Sequence, residues 1–369
     1  MTSDPTSGAT SATEDAIERE VREFALRCPV PLPPGDTVLL GHGSGGTLTQ
    51  ALIRDLFVPA LGGDPELSRM GDAAVVELPN GAGRLAFTTD GFVVQPAFFP
   101  GSNIGELAVN GTVNDLAMMG AEPLALSAAL ILEEGLSIER LGGVVASMAD
   151  ACERAGVRLV TGDTKVVERG AADGLYVTTS GIGLIPDGVE VGPERCRPGD
   201  VILVTGPVGS HGVAVMSRRA GIDFEADVRS DTAPLTVLVR AMLAAGDVRC
   251  LRDATRGGLA SVLNELAQSS GVSMTITEKD VPVLPAVKAA SEMLGLDPLY
   301  IANEGVAVAV VAPDDADAVL AAARADELGG HAAIVGEVGE PPVAVRARSG
   351  LGATRPLIML AGDQLPRIC

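Results

Sequence analysis

Cys369 closes the chain, at the end of the run Pro366-Arg367-Ile368-Cys369. A thiol on a short Pro-containing tail is a poor packing element, because chain ends fray. It suits a reactive sulfur on an arm that leaves the protein body and returns to it. The thiolate is the nucleophile at sulfur, so the chemistry depends on what Cys369 carries and which site it reaches. Four carboxylates offer such a site. Asp72, Asp90, Asp115 and Asp253 each stand where a regular element meets Gly or polar residues. Carboxylates without accompanying Cys/His clusters suit hard, oxygen-seeking ions such as Mg²⁺, which usually travel with nucleotide phosphates.

The elements around these groups must hold them in place. Thr37–Leu40 reads as a short strand, and Leu48–Phe57 as a helix opened by Gly41-His42-Gly43-Ser44-Gly45-Gly46-Thr47. A glycine-rich loop that opens a helix offers backbone N–H groups to an anion. This one lacks the Gly-Lys-Ser/Thr ending of a Walker A loop. Asp90 follows the strand Arg84–Thr89. Asn103–Met119 reads as a helix with an unusually polar middle, Asn110 to Asp115. Gly111 and Asn114 are poor helix formers, and polar groups placed there need partners that a ligand or metal would supply. Asn114 is therefore a candidate ligand group beside Asp115.

Further along, Pro123–Leu132 is strand-like. Ile138–Ala155 is an amphipathic helix with Val144, Met148 and Cys152 on one face. Arg158–Thr161 leads into a turn, Gly162-Asp163-Thr164-Lys165, and Tyr176–Ile185 alternates until Pro186. The second half starts afresh with the strand Val201–Thr205, a loop holding His211 and a helix from Val213. Asp253-Ala254-Thr255-Arg256-Gly257-Gly258 opens another helix, and Glu304 precedes the strand Val306–Val311. His211 reads as a loop or packing histidine. Alternating strands and helices indicate α/β or α+β. The expected divisions are a disordered extension at 1–35, an N-terminal domain at 36–186, a C-terminal α/β domain at 187–357 and a mobile tail at 358–369.

Composition narrows the classes. A net charge of −21 argues against nucleic-acid or anionic-membrane binding. The five cysteines are scattered and contain no CxxC pair, which is neither a disulfide framework nor a zinc site. A reducing cytoplasm fits them. The N-terminus is polar and acidic with no signal-peptide core, and the longest apolar run, Val306 to Ala323, is interrupted by Pro313, Asp314, Asp315 and Asp317.

Seven stretches carry a resemblance. They are GHGSGG at 41–46, TTDGFVVQPAFFPGSNIGELAVNGTVNDLAMMGAEP at 88–123, ILEEGL at 131–136, VTGDTKVVERG at 160–170, DATRGGLASVLNE at 253–265, ANEG at 302–305 and the terminal PRIC. Together they resemble the HypE family of hydrogenase maturation proteins, in the superfamily of aminoimidazole ribonucleotide synthetase and selenophosphate synthetase. The resemblance covers roughly residues 36–369. It implies a homodimer whose N-terminal domains share a β-barrel, with ATP in clefts lined by both domains and the partner. Asp72, Asp90, Asp115 and Asp253 would hold Mg²⁺ on the phosphates. Gly43, Gly45 and Gly46 would cover the nucleotide, with Asp163 and Thr164 near it and Lys165 near the reacting group. Thr255, Arg256 and Gly257 would sit beside the metal–phosphate cluster, and Glu304 would face the inserted tail. A HypF-like carbamoyltransferase would load Cys369. ATP would drive dehydration of the carboxamide to a thiocyanate, with Glu304 or Lys165 as base. The cyano group would pass to iron on a HypC–HypD-like complex, as a ligand for a [NiFe]-hydrogenase. Arg367 would steady the tail or tune its thiol. Two alternatives are another ATP-dependent phosphotransferase or synthetase of the superfamily, and a non-catalytic carrier scaffold. Against the first, selenophosphate synthetases usually carry a reactive Cys or selenocysteine in the glycine loop, which here is GHGSGG with none, and the terminal PRIC would be unexplained. The second leaves the carboxylates and Lys165 unexplained.

Overall fold

The computed structural model describes residues 37–221, 228–362, 365 and 367–369. The extension expected at 1–35 lies outside them.

The first half is a five-stranded sheet of β1 (Ala74–Glu77), β2 (Arg84–Phe92), β5 (Glu122–Glu133), β6 (Arg158–Val167) and β7 (Leu175–Ile185), in the order β1-β2-β7-β5-β6. A small ribbon, β3 (Phe98–Phe99) and β4 (Ser102–Asn103), precedes helix α1 (Ile104–Met118). The β5–β6 pair is parallel and is bridged by helix α2 (Ile138–Ala155). Helix α1 is capped by Asn103, whose Oδ1 accepts from Gly105 N at 2.8 Å. Its polar middle is not a break. A Cβ at Gly105 would overlap the Val144 carbonyl, and one at Gly111 would lie 2.9 Å from the Phe92 ring. Glycine at these positions lets α1 lie close to both α2 and β2, and that gain outweighs its low helix propensity.

The second half is a seven-stranded sheet. Its strands are β8 (Val201–Val204), β9 (Val248–Asp253), β10 (Ser273–Thr277), β11 (Ala307–Val311), β12 (Ala333–Gly339), β13 (Ala344–Arg348) and β14 (Thr354–Pro356), in the order β14-β13-β10-β12-β8-β11-β9. Its helices are α3 (Ser210–Ala220), α4 (Thr236–Ala245), α5 (Gly258–Ser270), α6 (Pro285–Leu294) and α7 (Ala316–Ala325). Both faces of its centre are covered. Val308 and Val310 pack with Leu259 and Leu263 of α5, whereas Ala307, Ala309 and Val311 pack with Leu238 and Met242 of α4 and Val319 of α7. That is why β11 is buried at every position and reads as an unbroken apolar run.

The two halves share core. Ile104, Leu107 and Val113 of α1 belong to the same buried cluster as Val213, Ile301, Leu365 and Ile368. By contrast, the outer face of the five-stranded sheet leaves Phe87, Ile131 and Ile182 exposed. Among the described residues no helix is long and apolar enough to cross a membrane.

Two local expectations are corrected. Residues 37–40 form no strand; Leu40–Gly43 is a single 3₁₀ turn, and Val38, Leu39 and Leu40 are exposed. With no neighbouring strand to pair it, an apolar run this short has no ladder to join. Gly162-Asp163-Thr164-Lys165 is not a turn but the middle of β6, paired residue by residue with Ala128–Ile131 of β5.

Candidate active site

Four elements deliver the carboxylates to one place. Asp72 precedes β1, Asp90 lies on the inner face of β2 near its end, Asp115 lies in the last turns of α1, and Asp253 ends β9. Carboxylate oxygens of Asp72, Asp115 and Asp253 all lie within 4.8 Å of one another. Asp90 acts on all three electrostatically. Thr88 Oγ1 lies 2.7 Å from Asp115 Oδ2 and donates to it.

Like charges this close and this buried oppose ionisation. Burial, then the Coulombic push of Asp90, Asp253 and Asp72, drives Asp115 well above the usual carboxylate range. Burial, then Asp72 and Asp90, does the same to Asp253. Asp72 is pushed up to about 6, mainly by burial, against the pull of Arg252. A hard cation would relieve this repulsion, and an all-oxygen donor set without His or Cys fits Mg²⁺.

Several buried groups close around the cluster. Glu304 is 4% exposed, and its Oε1 has no hydrogen-bond partner among the described residues. Burial, then Asp253, Asp231 and Asp90, holds Glu304 well above the ordinary glutamate range, with Arg256 opposing. Asp231 accepts from Glu304 N at 3.1 Å through Oδ1 and is pushed up to about 7 by burial. Arg252 bonds Asp72 at 2.9 Å and Glu265 at 2.8 Å. Sequence reasoning missed Arg252, Glu265 and Asp231. Arg252 directly precedes Asp253, which was a usable signal; Asp231 carries none, because only the fold brings it to Glu304.

Arg256 reaches over this site from the loop before α5. Its Nη1 donates to Gly43 O at 3.1 Å, and a Cβ on Gly45 would lie 3.1 Å from its own Cβ. Attraction to Cys369 is the largest influence raising its pKa, ahead of Asp90, Glu304 and Asp115. The guanidinium thus touches the glycine loop and is held charged by the acidic groups around it. Thr255 and Gly257 flank it, and Gly257 adopts φ +75°, where a Cβ would collide with the Ser261 side chain.

Three sequence assignments look different in place. Asn114 Nδ2 donates to Ala233 O at 3.0 Å and Glu304 O at 3.3 Å, and its Oδ1 accepts from Leu235 N at 2.8 Å. The partners expected from a ligand are backbone groups of the second half, so this amide fastens α1 to it. The glycine loop is also engaged. Thr47 N donates to Leu360 O, Leu48 N to Ala361 O and Gly45 N to Thr49 Oγ1, so part of the donor set expected there already has partners. A Cβ at Gly46 would overlap the Leu360 carbonyl.

Lys165 is not brought to the cluster within one chain. Its ammonium is exposed and pairs with Asp163 at 2.5 Å. Asp90 registers with Thr179, Thr179 with Ala128 and Ala128 with Gly162. Asp163 and Lys165 therefore lie three strands away, ~14 Å, and point to the opposite face of the sheet. Thr164 shares the Asp90 face.

The arm is seated. Leu365 and Ile368 are buried, Val93 N donates to Cys369 O at 3.1 Å and Gln95 N to Arg367 O at 3.3 Å. Arg367 pairs with Asp173, donates to Val93 O at 3.1 Å and stacks 6.0 Å from the Tyr176 ring centroid.

The chain is similar to known proteins over most of its length. The family model described as AIR synthase related protein, N-terminal domain, matches residues 70–185, and its C-terminal counterpart matches 197–347. The chain is 51% identical over 333 residues to carbamoyl dehydratase HypE of Cupriavidus necator, covering 89% of this chain and 94% of that one. A crystal structure of a HypE–HypF complex aligns with a TM-score of 0.80 at 44% identity, over 84% of this chain and all of that one. A HypE structure in complex with ATP aligns with a TM-score of 0.76 at 46% identity, over 90% of this chain and all of that one.

Proposed function

The chain belongs to the HypE family of carbamoyl dehydratases, and on that premise we propose that it dehydrates a carbamoyl group carried on Cys369, using ATP, in hydrogenase maturation. The observation that carries the reading is that Val93 N, three residues beyond Asp90, holds Cys369 O at 3.1 Å, which supports an arm end seated beside the carboxylate cluster.

The overall change is S–C(=O)NH₂ to S–C≡N. An amide oxygen is a very poor leaving group. Transfer of the ATP γ-phosphoryl to that oxygen turns it into a phosphate ester that can depart as inorganic phosphate, while the nitrogen loses two protons. Asp72, Asp90, Asp115 and Asp253 would hold Mg²⁺, which neutralises phosphate charge and orients the transfer. Arg256 supplies fixed positive charge where phosphate oxygens gather. Glu304 faces the same space with an unpartnered oxygen and is a proton acceptor candidate once positive charge lowers its pKa. Burial of Leu365 and Ile368 anchors the arm, while Cys369 keeps some solvent exposure.

Lys165 joins this site only through a second copy. The exposed apolar face of the five-stranded sheet, with Phe87, Ile131 and Ile182, supports a homodimer closed through that face. Lys165 and Asp163 lie on that face, so a partner protomer would bring them toward the neighbouring site. A HypF-like carbamoyltransferase is the loading partner, in keeping with the HypE–HypF complex. A HypC–HypD-like complex would receive the cyano group, in the cytoplasm.

The test is intact mass of the Cys369 peptide. The protein is incubated with carbamoyl phosphate, ATP and a HypF-like partner, then with Mg-ATP alone. A carbamoyl adduct followed by loss of one water is expected. An adduct that never loses water would leave a carrier protein, and no adduct would favour a phosphotransferase.

A further inference from the structure

His211 read as a packing histidine in the sequence, and the site described above makes no use of it. It is fully buried in the first turn of α3. Its Nε2 lies 2.8 Å from Ile368 O and its Nδ1 2.8 Å from Ser230 Oγ. A carbonyl can only accept, so Nε2 carries the proton, and Nδ1 accepts from the Ser230 hydroxyl. Ser230 Oγ in turn accepts from Thr232 N at 3.2 Å. The Phe99 ring stands edge-on to the imidazole, with centroids 5.3 Å apart, which fixes the ring plane. Burial lowers the His211 pKa to about 4, so the ring stays neutral across working pH.

Beside the side-chain contacts of Leu365, Arg367 and Ile368, further contacts hold the arm by its main chain. Arg219 Nη2 donates to Arg367 O at 2.8 Å, and its Nε donates to Gln95 O at 2.8 Å. Val93 and Gln95 also bind main-chain carbonyls of the arm. A Cβ at Gly212 would overlap Ile301 and sit 3.2 Å from Leu365, so α3 presents a surface cut back to admit the arm. Arg367 sits at φ +56°, a conformation unfavourable for a residue with a side chain, which persists only where surrounding contacts enforce it.

We infer that His211 is a positioning residue for the arm: its Nε2–H grips the Ile368 carbonyl, so the arm is seated by its main chain and not by its cargo. The arm then returns to one register whether the sulfur is free, carbamoylated or cyanated. This inference rests on the proposed reaction for its consequence, because dehydration needs a seated arm and loading needs a released one. His211 should therefore favour the first and restrain the second.

The experiment compares His211→Phe, which keeps an aromatic but loses the donor, with His211→Gln, which keeps a neutral donor. Rates of iodoacetamide alkylation at Cys369 are read by peptide mapping, alongside carbamoyl loading and water loss by intact mass. His211→Phe is expected to raise alkylation and slow water loss by about threefold to tenfold, the scale of one hydrogen bond, with loading undiminished. His211→Gln should stay within about twofold of wild type. Unchanged alkylation and unchanged water loss in His211→Phe would overturn the inference. If that variant shows no melting transition, Arg219→Ala decides: raised alkylation supports arm seating by main-chain contacts, and wild-type alkylation overturns it. A wild-type protein that loads but never loses water defeats the functional reading, while the alkylation comparison still decides the role of His211.

Discussion

Arg252 Nε stands 2.9 Å from Asp72 Oδ1, and Nη2 of the same guanidinium reaches Glu265 Oε2 at 2.8 Å and Met70 O at 3.1 Å. One side chain of the second half thus orients a carboxylate of the first. Arg252 is largely buried, so its removal leaves Asp72 without its countercharge. Arg252→Gln is expected to lower stability by about 2 kcal/mol, a lesser loss than for a wholly buried pair because Arg252 keeps some solvent contact. It should also weaken Mg²⁺ binding. Thermal melting and calorimetric titration of Mg²⁺ check both.

The cluster sets function against stability. Asp115→Asn or Asp253→Asn removes a like charge from a crowded buried group, so the metal-free protein should melt higher than wild type. The same variants should lose the rise in melting temperature that Mg²⁺ gives wild type, and water loss from the carbamoylated peptide should fall by about 10³-fold or more. That rise in wild type should be larger at pH 8 than at pH 5.5, because protonated carboxylates bind metal poorly. An equal rise at both pH values would remove the cluster from metal binding.

Asp231 makes a separate pH signature. Its folded pKa, about 7, lies above the unfolded value, so the folded state holds a proton that the unfolded state has released. Its contribution is complete below about pH 4 and is lost as pH rises through about 7. Asp231→Asn keeps an acceptor for Glu304 N and has no carboxyl to ionise. It should flatten the fall in melting temperature between pH 5 and pH 8, as read by scanning calorimetry.

Mixed dimers test the reach of Lys165. Lys165→Ala and Asp115→Asn protomers are each expected to be inactive alone. If Lys165 serves the neighbouring cluster, each mixed dimer keeps one intact site. An equimolar mixture after subunit exchange should then recover about a quarter of wild-type water loss. No recovery would place Lys165 with the cluster of its own chain.

Helices were the most legible part of the sequence. Ile138–Ala155 follows from its apolar spacing, and the expected helix over Asn103–Met119 matches α1 to within a residue at each end. The polar middle of α1 was misread at Asn114 because a buried amide needs partners in either case. Only the fold shows that Ala233, Leu235 and Glu304 provide them through their backbones. Asp163 and Lys165 looked like a turn because Gly162 precedes them. A Cβ there would overlap the Ala128 carbonyl, so that glycine serves strand packing. The four Asp were visible as punctuation marks, but their convergence depends on a sheet order that local pattern does not encode. His211 gave no sign of its role, since its partner is a main-chain carbonyl 157 residues away.

The moorings at Leu360 and Ala361 set a delivery radius. Thr47 and Leu48 tie these two carbonyls to the helix behind the glycine loop, and eight residue steps separate Ala361 from Cys369. Fully stretched, that tether spans at most ~29 Å. Any enzyme that loads or unloads the sulfur must bring its own reacting atoms inside that sphere. While those moorings hold, a partner that stays outside this radius of the glycine-loop end cannot touch the thiol.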